Sequence, residues 1–126
     1  RLVDGEFVYI GKNGVKLLGG VAPAIEQGQS MDHGPVSIQV SSVEESLFAA
    51  EAGAGIIMVD TAKIEDLRAV NNALVANNFR HSTVLAFGGG VQLDQLDDIH
   101  SAGADTVDIG RAILDAPLLD LRIRVV

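Results

Sequence analysis

Short apolar runs rich in β-branched residues recur along the chain. They are Phe7-Val8-Tyr9-Ile10, Val36 to Val40, Ile56-Ile57-Met58-Val59, Val84-Leu85-Ala86-Phe87 and Thr106-Val107-Asp108-Ile109. Runs of this length predict strands, and their nearly continuous apolar character is that of strands covered on both faces. Between them the period changes. Ser42-Val43-Glu44-Glu45 has the S-x-x-E form of a capping box, in which the Ser and Glu side chains each satisfy an orphan backbone N–H. A helix is predicted from there to Gly53, with Leu47, Ala50 and Ala52 on its spacing. Ile64, Leu67, Val70 and Leu74 mark a second apolar stripe, running to about Asn78. Leu93, Leu96 and Ile99 mark a third, stopped near Gly103.

Strand and helix in alternation predict an α/β fold of repeated βα units with parallel strands. The strand ends fall near Ile10, Val40, Asp60, Phe87 and Ile109, which are 30, 20, 27 and 22 residues apart in turn. Each interval is about one βα unit. A doubly wound sheet and a (β/α) barrel both fit this pattern. A whole barrel takes about 250 residues, so five units are a little over half of one.

Composition narrows the class. The 126 residues make one domain, 48% hydrophobic and 21% charged, a mix that excludes a disordered chain. No apolar stretch approaches the roughly 18 residues that span a bilayer. With no cysteine there is no disulfide framework, thiolate zinc site or cysteine nucleophile. A net charge of −8, unbroken by any Lys/Arg cluster, argues against nucleic acid as the main partner. The chain opens Arg1-Leu2-Val3-Asp4 without Met and ends inside the apolar pattern Arg122 to Val126. It is read as a piece of a longer protein, with exposed sheet edges and poor stability expected of the piece alone.

In either architecture ligands bind at the carboxyl ends of the strands. Gly88-Gly89-Gly90 follows the fourth strand there. Its glycines let the backbone approach a bound group, and a helix beginning near Gln92 aims N–H groups at the same space, which suits a phosphate. The competing reading is a tight turn without ligand. Gly110-Arg111 follows the fifth strand, Arg111 being either a bidentate phosphate partner or a surface arginine. Asp60 closes the third strand. It would either hold Mg²⁺ or sugar hydroxyls, or cap the following helix. Lys63 is either a phosphate ligand or a solvated lysine. His33, His81 and His100 fall in loops or at helix ends without metal-ligand spacing, and Glu44-Glu45 and Asp97-Asp98 are expected to face solvent.

Taken in order, the motifs resemble the C-terminal barrel domain of quinolinate phosphoribosyltransferase, also called nicotinate-nucleotide pyrophosphorylase (carboxylating). Arg1-Leu2, Val8 to Asn13, Val36 to Val40, Ala52 to Asp60, Phe87 to Val91 and Ala116 to Ile123 each match a family motif at the right spacing. The resemblance covers residues 1–126. It implies part of an incomplete (β/α) barrel whose N-terminal portion is not in this chain. It also implies transfer of phosphoribose from phosphoribosyl pyrophosphate to quinolinate, a pyridine carboxylate, with Mg²⁺. The products are nicotinate mononucleotide, CO₂ and pyrophosphate, for NAD synthesis. A cytoplasmic homodimer without membrane attachment is implied for the full-length protein.

Carried over by position, Arg1 would contact a substrate carboxylate, Asp60 would bind the ribose hydroxyls and metal, and Gly89 and Gly90 would offer N–H groups to a phosphate. Together with the reading of the strand ends, Asp60 and Lys12 become the catalytic candidates. Arg1, Gln39, Asp60 and Lys63 would bind substrate, and Gly88, Gly89, Gly90, Gly110 and Arg111 would bind phosphate. Several positions depart from the family. Its strand-end lysine falls on Gly11, with Lys12 one place along, and a one-residue shift can turn a side chain to the other face. Its strand carboxylates fall on Ser37 and Gln39, its phosphate-loop serine on Gly88 and its histidine on Leu114. These departures leave two alternatives: a divergent phosphoribosyltransferase with another acceptor, or a non-catalytic phosphate-binding barrel. A sugar-phosphate isomerase barrel would share the glycine turn but not the Ala116 to Ile123 segment. Asp60, Gln39, Gly88 and Gly110 are expected at one end of the sheet, with Leu47, Leu67, Leu74, Leu96 and Ile99 packed on its outside.

Overall fold

A computed structural model describes residues 5–116. Five parallel strands form one sheet in the sequential order β1 (Val8–Ile10), β2 (Val36–Val40), β3 (Ile56–Asp60), β4 (Val84–Gly88) and β5 (Thr106–Val107). This order decides between the two architectures. Doubly wound sheets reverse their strand order and place helices on both faces, whereas sequential parallel strands with right-handed crossovers place every helix on one face. The chain is a barrel segment.

The helices are α1 (Lys12–Leu17), α2 (Val21–Gln29), α3 (Val43–Glu51), α4 (Ile64–Ala76), α5 (Leu96–Ser101) and α6 (Arg111–Leu114). The core lies between them and the sheet. Ile10, Ile38, Val40, Ile57, Val59, Leu85 and Phe87 point toward the helices and meet Ile25, Leu67, Val70, Leu74 and Ile99. Burying a side chain of this kind stabilises the fold by about 1.5–3 kcal/mol. The expected stripes of Leu47, Leu67, Leu74, Leu96 and Ile99 all belong to this layer. The opposite, concave face carries a smaller apolar set, Ile56, Met58 and Ala86.

The first interval holds two helices that the periodicity does not announce. The buried face of α2 is Ala24, Ile25 and Gly28. A Cβ at Gly28 would stand 2.9 Å from a Val36 methyl and 3.2 Å from Ile10 Cδ1, so glycine lets α2 lie close on the sheet. Small residues at a contact leave little hydrophobic signal. At α3 the capping box is half formed. Ser42 accepts from the Glu45 N–H at 3.1 Å, but the Glu45 carboxylate reaches one residue further back, to the Ser41 N–H (2.7 Å) and hydroxyl (2.9 Å). Glu45 is therefore a capping residue rather than a solvent-facing one; Glu44, Asp97 and Asp98 are exposed as expected.

The end of the sheet away from the strand carboxyl termini is tied by Arg80. Its guanidinium donates to Asn71 Oδ1 on α4 (2.9 Å), the Thr83 carbonyl before β4 (2.9 Å), and the Gly103 carbonyl (2.9 Å) and Asp105 Oδ1 (2.8 Å) before β5. The second oxygen of Asp105 accepts the Leu85 N–H at 2.7 Å. One side chain thus fastens α4 and the approaches to β4 and β5 together. Among the described residues, β1 and β5 each pair on one side only.

Candidate functional site

The strand register places Gln39 beside Met58, and Asp60 beside Gly88, at the carboxyl end of the sheet. Side chains alternate across each strand, so Tyr9, Ser37, Gln39, Met58, Asp60, Ala86, Gly88, Thr106 and Asp108 share the concave face while their neighbours face the helices. Ser37 is fully buried there, and among the described residues its hydroxyl has no hydrogen-bond partner.

Three residues at the rim form a closed polar set. The Lys12 N–H donates to Gln39 Oε1 at 3.0 Å, and Gln39 Nε2 donates to Asp60 Oδ2. Lys12 Nζ donates to the Asp60 carbonyl at 2.9 Å and lies 3.3 Å from Oδ2. The feared one-residue shift does not turn Lys12 away. The chain enters α1 directly after β1, and the long side chain of its first residue folds back over β3. Gln39 suits this set because an amide both accepts and donates; a carboxylate could not donate to Asp60. No described hydrogen bond engages Asp60 Oδ1. That oxygen stands 3.5 Å from where a Gly88 Cβ would lie and 3.0 Å from a Gly89 Cβ.

Asp60 does not cap the following helix. α4 begins after Lys63, which makes no side-chain cap, and the carboxylate of Asp60 turns to Gln39 and Lys12 instead. The capping alternative is thereby excluded.

The glycine turn is shaped by the loop beside it. Gly89 has φ +98°, and a Cβ there would lie 2.7 Å from the Ala62 nitrogen, whose N–H donates to the Gly88 carbonyl at 3.3 Å. Glycine at position 89 is required by this contact alone. Gly90, at φ +91°, faces open space. The helix expected to aim its N–H groups here begins differently. A 3₁₀ turn at Leu93–Gln95 precedes α5, the Gln92 N–H donates to Gln95 Oε1 at 3.0 Å, and Gln92 Nε2 bonds the Gly90 carbonyl. One expected donor is thus already taken.

The remaining predicted residues are more scattered. Gly110 caps α6 in open space. Arg111 is highly exposed and pairs with Asp115 one helical turn on, at 3.1 Å, along an open groove shared with Gln92, Leu93 and Asp94. Lys63 is exposed, and no described hydrogen bond or ion pair involves its ammonium. Arg1 and the segment beyond Ala116 lie outside the described residues. Leu114, where the family histidine falls, is 85% exposed on α6. Among the described residues no cluster of three metal-ligating side chains occurs. His33 makes an exposed contact to Glu6.

Two concave-face residues escaped the sequence reading. Tyr9 stands over Gly11, its ring 3.5 Å and its hydroxyl 3.8 Å from where a Gly11 Cβ would lie. Asp108 flanks Gly88 from the opposite side to Asp60, its Cβ 3.5 Å from a Gly88 Cβ. Burial raises the Tyr9 phenol pKa above its ordinary value, and the charges of Asp60 and Asp108 push it further the same way. Tyr9 lies on β1 and Asp108 just after β5, at opposite ends of the strand order. Strict alternation from Gln39 and Asp60 is the signal that would have found both.

Comparison with known proteins gives a consistent result. The family model described as "Quinolinate phosphoribosyl transferase, C-terminal domain" matches residues 1–124. A nicotinate-nucleotide pyrophosphorylase [carboxylating] of Rattus norvegicus is 33% identical over 122 residues, covering 95% of this chain and 40% of that protein. The Homo sapiens protein of the same name is 31% identical over 122 residues, with the same coverage. The solved nicotinate-nucleotide pyrophosphorylase of Francisella tularensis superposes with a TM-score of 0.71 at 24% identity, over 85% of this chain and 37% of that one. This last likeness establishes the fold. The chain spans about 40% of the length of the curated relatives it matches.

Proposed function

The chain belongs to the family of the quinolinate phosphoribosyl transferase C-terminal domain, and on that premise we propose that its protein transfers phosphoribose from phosphoribosyl pyrophosphate to quinolinate. The products are nicotinate mononucleotide, CO₂ and pyrophosphate. The observation that carries this reading is the hydrogen-bonded set of Lys12, Gln39 and Asp60, beside a glycine turn at the carboxyl ends of the strands.

Each residue has a task in that reaction. Asp60 Oδ1 accepts from the ribose hydroxyls and orients the sugar, while Gln39 and Lys12 hold its other oxygen fixed. The backbone N–H groups of Gly89 and Gly90 receive a phosphate. As the bond from ribose C1 to pyrophosphate breaks, positive charge builds on the sugar, and Asp60 is the nearby anion that stabilises it. Lys12, half exposed beside Asp60, faces the developing negative charge on the leaving group. Mg²⁺ fits this donor set in one way. It favours one or two carboxylate oxygens completed by water and substrate phosphates, and Asp60 Oδ1 is the oxygen open to it. When bound, the ion would neutralise pyrophosphate charge. A homodimer is proposed for the full-length protein, as the family resemblance implies. Among the described residues no helix is long and apolar enough to cross a membrane. A cytoplasmic location is proposed, since phosphorylated substrates do not cross membranes unaided.

Calorimetric titration of the full-length protein with phosphoribosyl pyrophosphate and Mg²⁺ tests the site. Asp60→Asn removes one charged acceptor, and such hydrogen bonds contribute about 1.5–3 kcal/mol, so affinity should fall roughly 10- to 100-fold. Equal binding by both proteins, or none by either, overturns the assignment.

A further inference from the structure

Two carboxylates flank one small open cradle at the carboxyl end of the sheet. Asp60 closes β3, Asp108 follows β5 directly, and Gly88, the last residue of β4, stands between them. A Cβ added at Gly88 would lie 3.5 Å from Asp60 Oδ1, 3.5 Å from Asp108 Cβ and 3.5 Å from Met58 Sδ. These are ordinary contact distances, so glycine here leaves a space that a small group would fill without strain. Neither carboxylate is fully engaged. Asp60 gives Oδ2 to Gln39 and Lys12, and no described hydrogen bond involves Oδ1. Asp108 is exposed, and among the described residues its carboxylate has no hydrogen-bond or ion-pair partner. After burial, the charges of Asp60 and then Asp108 raise the pKa of the same Tyr9 phenol, so both border one concave space.

Gly88 opens the turn that receives a phosphate in the proposed reaction. An unpaired carboxylate at that place repels a phosphate, and Lys12, the cation of the rim, is already paired with Asp60. A bound divalent cation reverses this local charge logic. Mg²⁺ takes one or two carboxylates and completes its shell with water and substrate phosphates. We propose that Asp108 is the second carboxylate of the divalent-cation site, joining Asp60 Oδ1 across the space that Gly88 leaves. The inference rests on the phosphoribosyl-transfer reading, which supplies the phosphate and the cation, and deepens it by adding a ligand to the single oxygen of Asp60. It also gives the neutral Gln39 a counterpart. The carboxylate that the family resemblance places at position 39 is missing, and Asp108 returns one negative charge to the same face from the other side of the sheet.

Mn²⁺ is the probe, because it shares the oxygen ligands and octahedral geometry of Mg²⁺ and has a paramagnetic resonance signal. It is titrated without substrate into the full-length protein, as wild type, Asp108→Asn, Asp108→Glu, Gly88→Ala and Asp97→Asn. Asp108→Asn should weaken Mn²⁺ binding about 10- to 100-fold, the order lost when one support of a metal site is removed. Asp108→Glu should recover part of that loss, a rescue that a merely structural side chain would not show. Gly88→Ala fills the cradle at tolerated distances and should weaken binding by a similar factor without removing a charge. Asp97, exposed on α5, is the control, and its neutralisation should change binding less than about twofold because solvent screens it. Thermal melts check that each variant folds. Unchanged Mn²⁺ binding in Asp108→Asn overturns the inference, as does equal weakening in Asp97→Asn or a wild type that takes up no Mn²⁺. Pyrophosphate release with quinolinate is assayed in parallel. Quinolinate-dependent release by the wild type, with Mn²⁺ binding unmoved in Asp108→Asn, removes the inference alone. Mn²⁺ binding that depends on Asp108, without quinolinate-dependent release, removes the phosphoribosyl-transfer reading and leaves the two-carboxylate site standing.

Discussion

Replacing Arg80 by Ala is the sharpest test of how this barrel segment is held together. Arg80 donates to Asn71, to the Thr83 and Gly103 carbonyls and to Asp105, all between 2.8 and 2.9 Å. Its side chain is 24% exposed and that of Asp105 is 41% exposed. At about 1 kcal/mol net per bond, the first three contribute roughly 3 kcal/mol. The Asp105 contact is partly solvated and adds only about 0.5 kcal/mol. Truncation should therefore cost about 3–4 kcal/mol, a large share of the roughly 5–15 kcal/mol that stabilises an ordinary domain. With a urea slope near 1.5 kcal/mol/M, the unfolding midpoint should fall by about 2 M. Circular dichroism against urea at neutral pH is the assay. Arg80→Lys can reach only some of these acceptors and should recover about half of the loss. A midpoint shift under about 0.5 M for Arg80→Ala would refute the reasoning, because Arg80 would then be a solvated side chain with incidental contacts.

Other consequences concern the site. Gln39→Glu replaces the amide donor to Asp60 by a second carboxylate, while Lys12 offsets part of the repulsion; the expected cost at neutral pH is about 2–3 kcal/mol. The proton that restores the bond is available only at low pH. The penalty should thus be small near pH 4 and grow as pH rises past about 4.3, the unfolded glutamate value; a penalty independent of pH would count against the bridging role of Gln39. Tyr9 has its folded pKa raised, so below the ordinary value of 10.0 it adds no pH dependence, and above it stability is lost as the unfolded state ionises first. Urea unfolding between pH 8 and 11, as order-of-magnitude bounds around that value, should show this loss in the wild type and less of it in Tyr9→Phe; identical slopes would place Tyr9 outside the field of Asp60 and Asp108.

The βα repeat was legible because strands and the larger helices write different periods into the chain. Leu67, Val70 and Leu74 announce α4 and are all buried. What stayed hidden has physical reasons. α2 packs through Ala24 and Gly28, which carry little hydrophobic signal. Strand order is absent from local pattern, so barrel and doubly wound sheet separated only when β1 to β5 were seen in sequence. At the site, Asp60 and the glycine turn stood out by type and position. The reach of Lys12 did not, because it depends on how α1 leaves β1. Gln39 looked like a loss of charge, whereas its amide is what links Lys12 to Asp60. Arg111 matched the phosphate reading by type, yet its nearest described partner is Asp115.

The central claim is that this domain works in quinolinate-dependent phosphoribosyl transfer. The most direct measurement is pyrophosphate release by the full-length protein from phosphoribosyl pyrophosphate and Mg²⁺, with and without quinolinate, with CO₂ followed in parallel. The account predicts release that requires quinolinate, matched by CO₂ and abolished or strongly reduced in Asp60→Asn. Binding of phosphoribosyl pyrophosphate without quinolinate-dependent release would contradict it and assign the site to another acceptor.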